Sequence, residues 1–480
     1  MKEYKLFIGG EWVDTASGKI VDDINPYDGT VCARVHTAGL QEVEAAIASA
    51  YAAREAWAKL PPAVKEEILL KAADHFEANC DEYTQILIEE SGSVYSKAFG
   101  EIMGSAGLFR SAAGESRRIS GEVMTPDFPG HYSVYIRQPH GVVAGISPFN
   151  FPLILALDKV AFALAAGNTF ILKPSSETPV TGLLIARALE AAGLPKGVFS
   201  VVPGSGSVVG DALVNDDRVR MIAFTGSSAV GRAIAVKAAA KLKRVSLELG
   251  GKNPMIVLKD FDVQKAASIA AFGAYYHQGQ VCMCTSRVIV EEAIYDSFCK
   301  AFAATAKIIK AGDPKQKDIF VGPLIRKSQC EVLDRQIKDA TSKGARLLIG
   351  GTHEGSVYQP TILADVTPEM DVFYEESFGP MTSVIKAKDA NDALRLCNDN
   401  KYGLSSALLT NDLGNAMTLA PKMESGMVHV NDSTIVGSQL APFGGIKNSG
   451  IGREGGKFAI AEFTEVKWIT IQHEEKQLPF

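Results

Sequence analysis

The chain has 480 residues, 46% of them apolar and 22% charged, with a formal net charge of −6. That length exceeds one ordinary core and predicts two or three domains. The mildly acidic balance carries no footprint of a nucleic-acid or anionic-membrane binder, so neither partner is expected.

The opening MKEYKLFIGGEWVD has neither a signal-peptide core nor transit-peptide character. It is β-like and leads into two helical patterns. Within Gln41 to Trp57, Val43, Ile47 and Tyr51 recur at four-residue spacing. Over Lys65 to Glu90, Ile68, Leu69, Ala72 and Phe76 carry the apolar face, and Gly92 stops it. Gly121 to Pro139, rich in Pro, Gly and aromatics, reads as an inserted hairpin.

From Gly141 the pattern becomes strand–helix alternation. The runs GVVAGI, TFILK, VFSVV, RMIAFT and RVSLEL are short and rich in β-branched residues. Helix-like stretches lie between them, over 152–166, 179–192, 207–215 and 228–241. The second of these has Thr178 as expected N-cap and Pro179 at its first position. Five strands buried on both faces, with four crossover helices, predict an α/β protein built on a doubly wound parallel sheet. Such sheets bind ligands at the carboxyl ends of their strands. A second αβ block follows, from about residue 253 to 443, with PMIVL, SRVIVE, ARLLIG, TSVIKA and GMVHVN as strands. The most apolar region, 141–172, is interrupted by Pro148, Pro152, Asp158 and Lys159. It cannot supply the ~20 uninterrupted apolar residues of a membrane span.

The dinucleotide fingerprint G-x-G-x-x-G is absent. In its place stand Gly204-Ser-Gly206-Ser-Val-Val-Gly210, one residue too long, and FTGSSAVG, Phe224 to Gly231. Each follows a strand and opens a helix, where backbone N–H groups can hold a phosphate. Seven cysteines, odd in number and mostly scattered, fit a reduced cytoplasmic setting. The pair Cys282-Met283-Cys284 is too tight for a zinc knuckle, and no second Cys/His pair follows, so no metal is expected. A disulfide between the two would be strained. Core filler and nucleophile remain. Cys282 stands after Gly-Gln-Val in a polar stretch, and Glu248, in LELGGK, ends a buried-looking strand. A carboxylate there is costly unless it has a task or a partner.

These residues lie within a longer set of motifs: SPFNFPL (Ser147 to Leu153), LKPSSETP (Leu172 to Pro179), FTGS (Phe224 to Ser227), LELGGKNP (Leu247 to Pro254), GQVC (Gly279 to Cys282), EESFGP (Glu375 to Pro380) and PFGGIKNSGIGRE (Pro442 to Glu454). With these the chain resembles the aldehyde dehydrogenase superfamily from end to end. The resemblance implies a dinucleotide-binding domain over 1–120 and 140–250, a catalytic domain over 251–447, and an oligomerisation element from 121–139 and 465–480. A homodimer or homotetramer is expected with it. It implies that Cys282 is the nucleophile, Asn150 the oxyanion donor and Glu248 the base that activates water against a thioester. It assigns Lys159 and Glu465 to support of the proton path, and leaves Cys284 as packing.

The same resemblance explains the missing fingerprint, because the family lays its NADP or NAD across the sheet differently. It implies pyrophosphate contacts from Gly226 and Ser227, with Gly206 a further phosphate candidate, and an adenosine-ribose contact from Lys173. Glu376 and Phe378 would meet the nicotinamide ribose and ring. Ile146, Ser147, Phe149, Thr225 and the Leu249 backbone would flank the cofactor. Where NAD-preferring members often place a ribose-binding glutamate, this chain has Ser176, with Glu177 one residue on. Acceptance of NADP alongside NAD is expected, unless Glu177 swings in. The substrate pocket would be lined by Phe151, Leu155, Asp158, Tyr276 and Phe443. These bulky positions, and the run HVNDSTI (His429 to Ile435), resemble members that oxidise aromatic aldehydes such as benzaldehyde and vanillin. A semialdehyde dehydrogenase of central metabolism, a non-catalytic structural relative and a thiol esterase are the competing readings.

Overall fold

Two open, mostly parallel sheets organise the computed structural model, which describes residues 2–480. All five strands expected in the first sheet form and run parallel: Val142–Ile146, Thr169–Lys173, Phe199–Val201, Val219–Gly226 and Arg244–Leu249. Thr169–Lys173 is buried along its whole length, as a strand covered on both faces must be. Val142–Ile146 lies between Thr169–Lys173 and Val219–Gly226. The chain therefore winds outward one way and then returns to wind the other. The carboxyl ends of Val142–Ile146 and Val219–Gly226 flank the switch point, where a ligand crevice opens. Antiparallel strands finish the edges, Leu6–Ile8 with Glu11–Val13 on one side and Gly450–Ile451 on the other.

The first helix, α1, spans Leu40–Lys59. The apolar pattern over 65–90 is not one helix but two, α2 (Pro62–Ala78) and α3 (Cys80–Ser91). They part at Asn79, whose amide donates to His75 O at 2.8 Å and closes the end of α2. Gly92 ends α3 in the left-handed conformation, φ 65°. A further helix, α4 (Tyr95–Ser116), escapes the sequence reading because Gly100, Gly104, Gly107 and Gly114 dilute its pattern. Two of those glycines are packing devices. A Cβ on Gly104 would stand 2.9 Å from Ile154 Cδ1, and one on Gly107 2.7 Å from Gln439 Nε2. Both keep α4 close to α5 (Ile154–Ala165) and to the loop over the site.

The helix α6 (Pro179–Ala191) starts where expected, but Thr178 does not cap it. Buried Glu90, at the end of α3, accepts from Val180 N (2.5 Å) and Thr181 N (2.9 Å) instead. After α7 (Asp211–Asn215), α8 (Ser228–Ala239) is capped by the Ser227 hydroxyl, which accepts from Val230 N. The second sheet has seven strands, including all five foreseen, and only Arg346–Ile349 runs antiparallel. A third sheet joins the hairpin Glu122–Met124 and His131–Pro139 to Thr464–Gln472, paired in register from Thr464↔Pro139 to Gln472↔His131.

Candidate active site

Cys282 sits on a loop between a helix, Val263–Tyr275, and a strand, Thr285–Glu291. Three left-handed residues in a row, His277, Gln278 and Gly279, bend the chain toward it. Only glycine serves at 279, where a Cβ would lie 2.1 Å from Gly379 O. Side chains from elsewhere hold the loop. Asn253 Nδ2 donates to Cys282 O (2.8 Å) and Cys284 O (3.0 Å), and Thr434 Oγ1 to Met283 O (2.6 Å). Cys284 is buried, with its Sγ on Ala274 O at 3.4 Å.

The first sheet brings Asn150 and Glu248 to the same place. Asn150 follows the Val142–Ile146 strand at the switch point, and its Nδ2 donates to Gln280 O at 2.8 Å. That bond fixes the amide plane and leaves a second N–H free. Glu248 ends the Arg244–Leu249 strand, and both its carboxylate oxygens are buried without a hydrogen-bond partner. Burial, then the nearby Glu454, push the Glu248 carboxyl well above its ordinary pKa, against the opposing pull of Lys159. Burial, then Glu248, do the same to the Cys282 thiol. Burial therefore favours the neutral form of each group.

Lys159 is fully buried and pairs with Glu454 at 2.6 Å. Glu465 is not part of this cluster. It lies on the exposed Thr464–Gln472 strand, half in solvent, beside Arg244 and His140. The strand's register decides this, since Glu465 is opposite Gln138 of the hairpin. Glu454 is the carboxylate that the sequence reading missed, although it closes the motif PFGGIKNSGIGRE.

On one side of Cys282 lies an apolar cavity of about 270 Å³. Phe151, Leu155, Asp158, Tyr276 and Phe443 all line it, with Leu108, Ile154 and Ile435. Asp158 is the one carboxylate on this wall among the described residues. Burial and the neighbouring Glu454 raise its pKa to about 8. No lysine or arginine lines the cavity among the described residues.

On the other side runs a groove of about 530 Å³, to which Cys282, Asn150 and Glu248 all contribute. Ile146, Ser147, Phe149, Lys173 and Ser176 line it from the first half of the sheet. Thr225, Gly226, Ser227 and Leu249 line it from the second, with Glu376 and Phe378 from the loop before the strand Met381–Ala387 of the second sheet. Gly206 does not line it; it opens the turn before α7, one element away. Glu177 does not swing in. Arg326 holds its Oε1 with two nitrogens, at 2.6 and 2.9 Å, while Ser176 Oγ donates to Gly204 O.

The groove suits a dinucleotide. The hydroxyls of Ser147 and Thr225 are buried there without partners. The N-terminus of α8 opens onto it with free backbone N–H groups, the usual seat of a phosphate. Gly250 leaves room that a Cβ, 2.6 Å from the Glu376 carboxylate, would fill. Glu376 accepts from Gly251 N at 3.1 Å, and burial lifts its pKa to about 7. Lys173, pushed down to about 8 by burial, stands at the groove's floor.

Comparison with known proteins agrees with this geometry. Residues 12–469 match the aldehyde dehydrogenase family. A vanillin dehydrogenase of Corynebacterium glutamicum is 43% identical over 471 residues, 98% of this chain and 97% of that protein. A salicylaldehyde dehydrogenase from Pseudomonas putida G7, solved with salicylaldehyde, superposes with a TM-score of 0.98 at 37% identity, covering 100% of each chain. An E. coli NADP dependent enzyme superposes with a TM-score of 0.96 at 36% identity, covering 98% of each. With a buried thiol set between an apolar cavity and a dinucleotide-shaped groove, and with matches of this length, the chain belongs to the aldehyde dehydrogenase family.

Proposed function

We propose that this chain oxidises a hydroxylated aromatic aldehyde to its carboxylic acid, with NADP or NAD taking up the hydride, and that Cys282, Asn150 and Glu248 carry the chemistry. One observation carries the reading: Cys282 is shared by the apolar cavity and the groove, beside a buried carboxyl with no other partner. The aldehyde carbon would enter from the cavity and meet the thiol. As the S–C bond forms, the thiol proton is lost to water through the open groove, so that the later hydrolytic step is left to Glu248. The free Asn150 N–H and the Cys282 backbone N–H stabilise the alkoxide. Losing one such donor typically costs ~3–4 kcal/mol in the barrier. A bound nicotinamide supplies the acceptor for the hydride. The acyl group is then held on Cys282 as a thioester. Ionised Glu248, whose raised pKa makes it a stronger base than an ordinary carboxylate, takes a proton from water, the water oxygen bonds to the acyl carbon, the C–S bond breaks, and Glu248 returns the proton to the sulfur. The products are the carboxylic acid and the restored thiol.

The walls of the cavity support an aromatic ring, as do the substrates named for the vanillin and salicylaldehyde relatives. Asp158 supports a hydroxyl on that ring. Near neutral pH its raised pKa leaves it mostly protonated, able to donate as well as accept. A succinic semialdehyde would bring a second carboxylate toward Asp158 and find no lysine or arginine on the cavity wall. Ser176 in the groove and Glu177 held by Arg326 support acceptance of NADP, because no carboxylate faces a 2′-phosphate from this loop. The exposed Val123, Val466, Trp468 and Ile471 of the third sheet support assembly with further copies of the chain.

The test is steady-state oxidation of benzaldehyde, 4-hydroxybenzaldehyde, vanillin and succinic semialdehyde, each with NAD and NADP, for wild type and Cys282→Ala. Turnover of the hydroxylated aldehydes that vanishes in the variant is expected. Turnover of succinic semialdehyde alone overturns the substrate class, and turnover surviving in Cys282→Ala overturns the mechanism.

A further inference from the structure

We infer that Lys97 and Glu101, on α4 behind the active-site wall, are positioning residues that hold the Asn150 amide and the Phe151 ring in reacting geometry. The inference rests on the reading of Asn150 as the oxyanion donor. The two side chains stand one helical turn apart, both completely buried, with Nζ–Oε2 at 2.5 Å. Burying an ion pair is costly, and a well-packed apolar pair often serves stability as well or better. The pair's outward contacts show what it holds.

Lys97 Nζ donates to Asn150 O at 2.7 Å and to Ser93 Oγ at 3.0 Å. With Glu101, that spends all three ammonium donors. Lys97 also lies 4.4 Å from the centre of the Phe151 ring, which forms the cavity wall. The second oxygen of Glu101 accepts from Leu153 N at 2.9 Å and Ile154 N at 3.2 Å. These are orphan N–H groups at the start of α5, which has no side-chain cap of its own. One buried pair thus grips both ends of residues 150–154.

The opposite side offers little polar support. His277 packs edge-on against Phe151 at 5.3 Å, and neither of its ring nitrogens finds a partner. Burial and then Lys97 hold this imidazole well below its ordinary pKa, against an opposing pull from the Asn150 backbone, so it adds no competing charge. Beyond its own amide bond to Gln280 O, Asn150 is tied down by Lys97. An oxyanion donor must stand about 2.7–3.1 Å from the developing oxygen. A shift of about 1 Å in such a group can cost about 100-fold. The interior ends of α5 and α6 are capped alike by buried glutamates, Glu101 and Glu90, but only Glu101 has a lysine bridging it to the reacting wall.

The test is a double-mutant cycle on the full-length enzyme: Lys97→Met and Glu101→Gln, each alone and with Asn150→Ala. Aldehyde kcat, KM for NADP and thermal midpoint are measured for each. Lys97→Met is expected to lower kcat by about 10–100-fold with KM for NADP unchanged. In the Asn150→Ala background the same change is expected to cost less than about threefold, because the group it positions is gone. Glu101→Gln keeps an acceptor for Leu153 N and decides the question by itself if Lys97→Met does not fold. A loss that multiplies in full on top of Asn150→Ala, or a lower midpoint with kcat unchanged, overturns the inference. If Asn150→Ala alone leaves kcat intact, it is the oxyanion reading that fails.

Discussion

Replacing Asp158 by leucine separates the shape of the cavity from its chemistry. Asp158 presents the one carboxyl on a mostly apolar wall that also carries Tyr276, Ser438 and Gln439, and burial with Glu454 nearby raises its pKa to about 8. Leucine is close in size and fills the same space without a polar atom. A ring hydroxyl that had bonded to Asp158 would then be desolvated against the leucine side chain. An unmet buried hydrogen-bonding group costs about 1–3 kcal/mol. At 1.4 kcal/mol per factor of ten, kcat/KM for 4-hydroxybenzaldehyde should fall about 5–150-fold. Benzaldehyde, with no hydroxyl, should stay within about threefold, since only apolar contact is exchanged. Asp158→Asn keeps a donor and an acceptor and should lie between. The assay is cofactor reduction followed at 340 nm over a range of each aldehyde. An equal fall for both substrates, or no fall for the hydroxylated one, would refute the reasoning and leave Asp158 a neighbour of Glu454 without a role in recognition.

Ser176→Glu places a carboxylate in the groove, and we expect kcat/KM with NADP to drop at least about tenfold relative to NAD, as like charges disfavour a 2′-phosphate. Glu454→Gln strands the Lys159 ammonium in the interior, and the denaturation midpoint should fall by the equivalent of about 3–5 kcal/mol. Glu465→Gln on the exposed strand should cost no more than about 1 kcal/mol, so the two variants separate the carboxylate at the site from the one outside it. The raised Glu248 carboxyl sets a pH dependence of stability. The folded chain holds that proton more tightly than the unfolded chain, so the advantage is complete below the unfolded value of about 4.3 and shrinks as pH rises toward the folded one. Unfolding of wild type and Glu248→Gln between pH 4 and 8 should show the wild type losing ground to the variant as pH rises.

The doubly wound sheet was legible because its strands are buried on both faces and read as unbroken β-branched runs between capped helices. The N-terminal helices were less so. Asn79 breaks an apolar pattern that continues across it, and the glycines of α4 are there for close packing, which periodicity cannot register. At the site, Glu248 stood out because a carboxylate on a buried-looking strand needs a reason, and Cys282 because it follows Gly-Gln-Val in a polar stretch, whereas Asn150 came only from the family resemblance. Lys97, Glu101 and Glu454 were hidden for the opposite cause. Their charges are cancelled by partners, one from the same helix and one nearly three hundred residues away, and only the fold supplies those pairings. Glu465 shows the converse: the resemblance drew it to the proton path, and the register of an edge strand turns it toward solvent. Thr178 looked like an ordinary N-cap, yet Glu90 reached α6 first.

The central claim is that Cys282 carries the acyl group and Glu248 releases it. Intact-protein mass spectrometry of Glu248→Gln, mixed with 4-hydroxybenzaldehyde and NADP and quenched in acid, tests it directly. The amide introduced by this substitution cannot take a proton from water. A covalent adduct with the mass of the aromatic acyl group should therefore accumulate, map to the peptide bearing Cys282, and be absent when Glu248→Gln is combined with Cys282→Ala. An adduct on another residue, or rapid full turnover by Glu248→Gln with no adduct, would contradict the account.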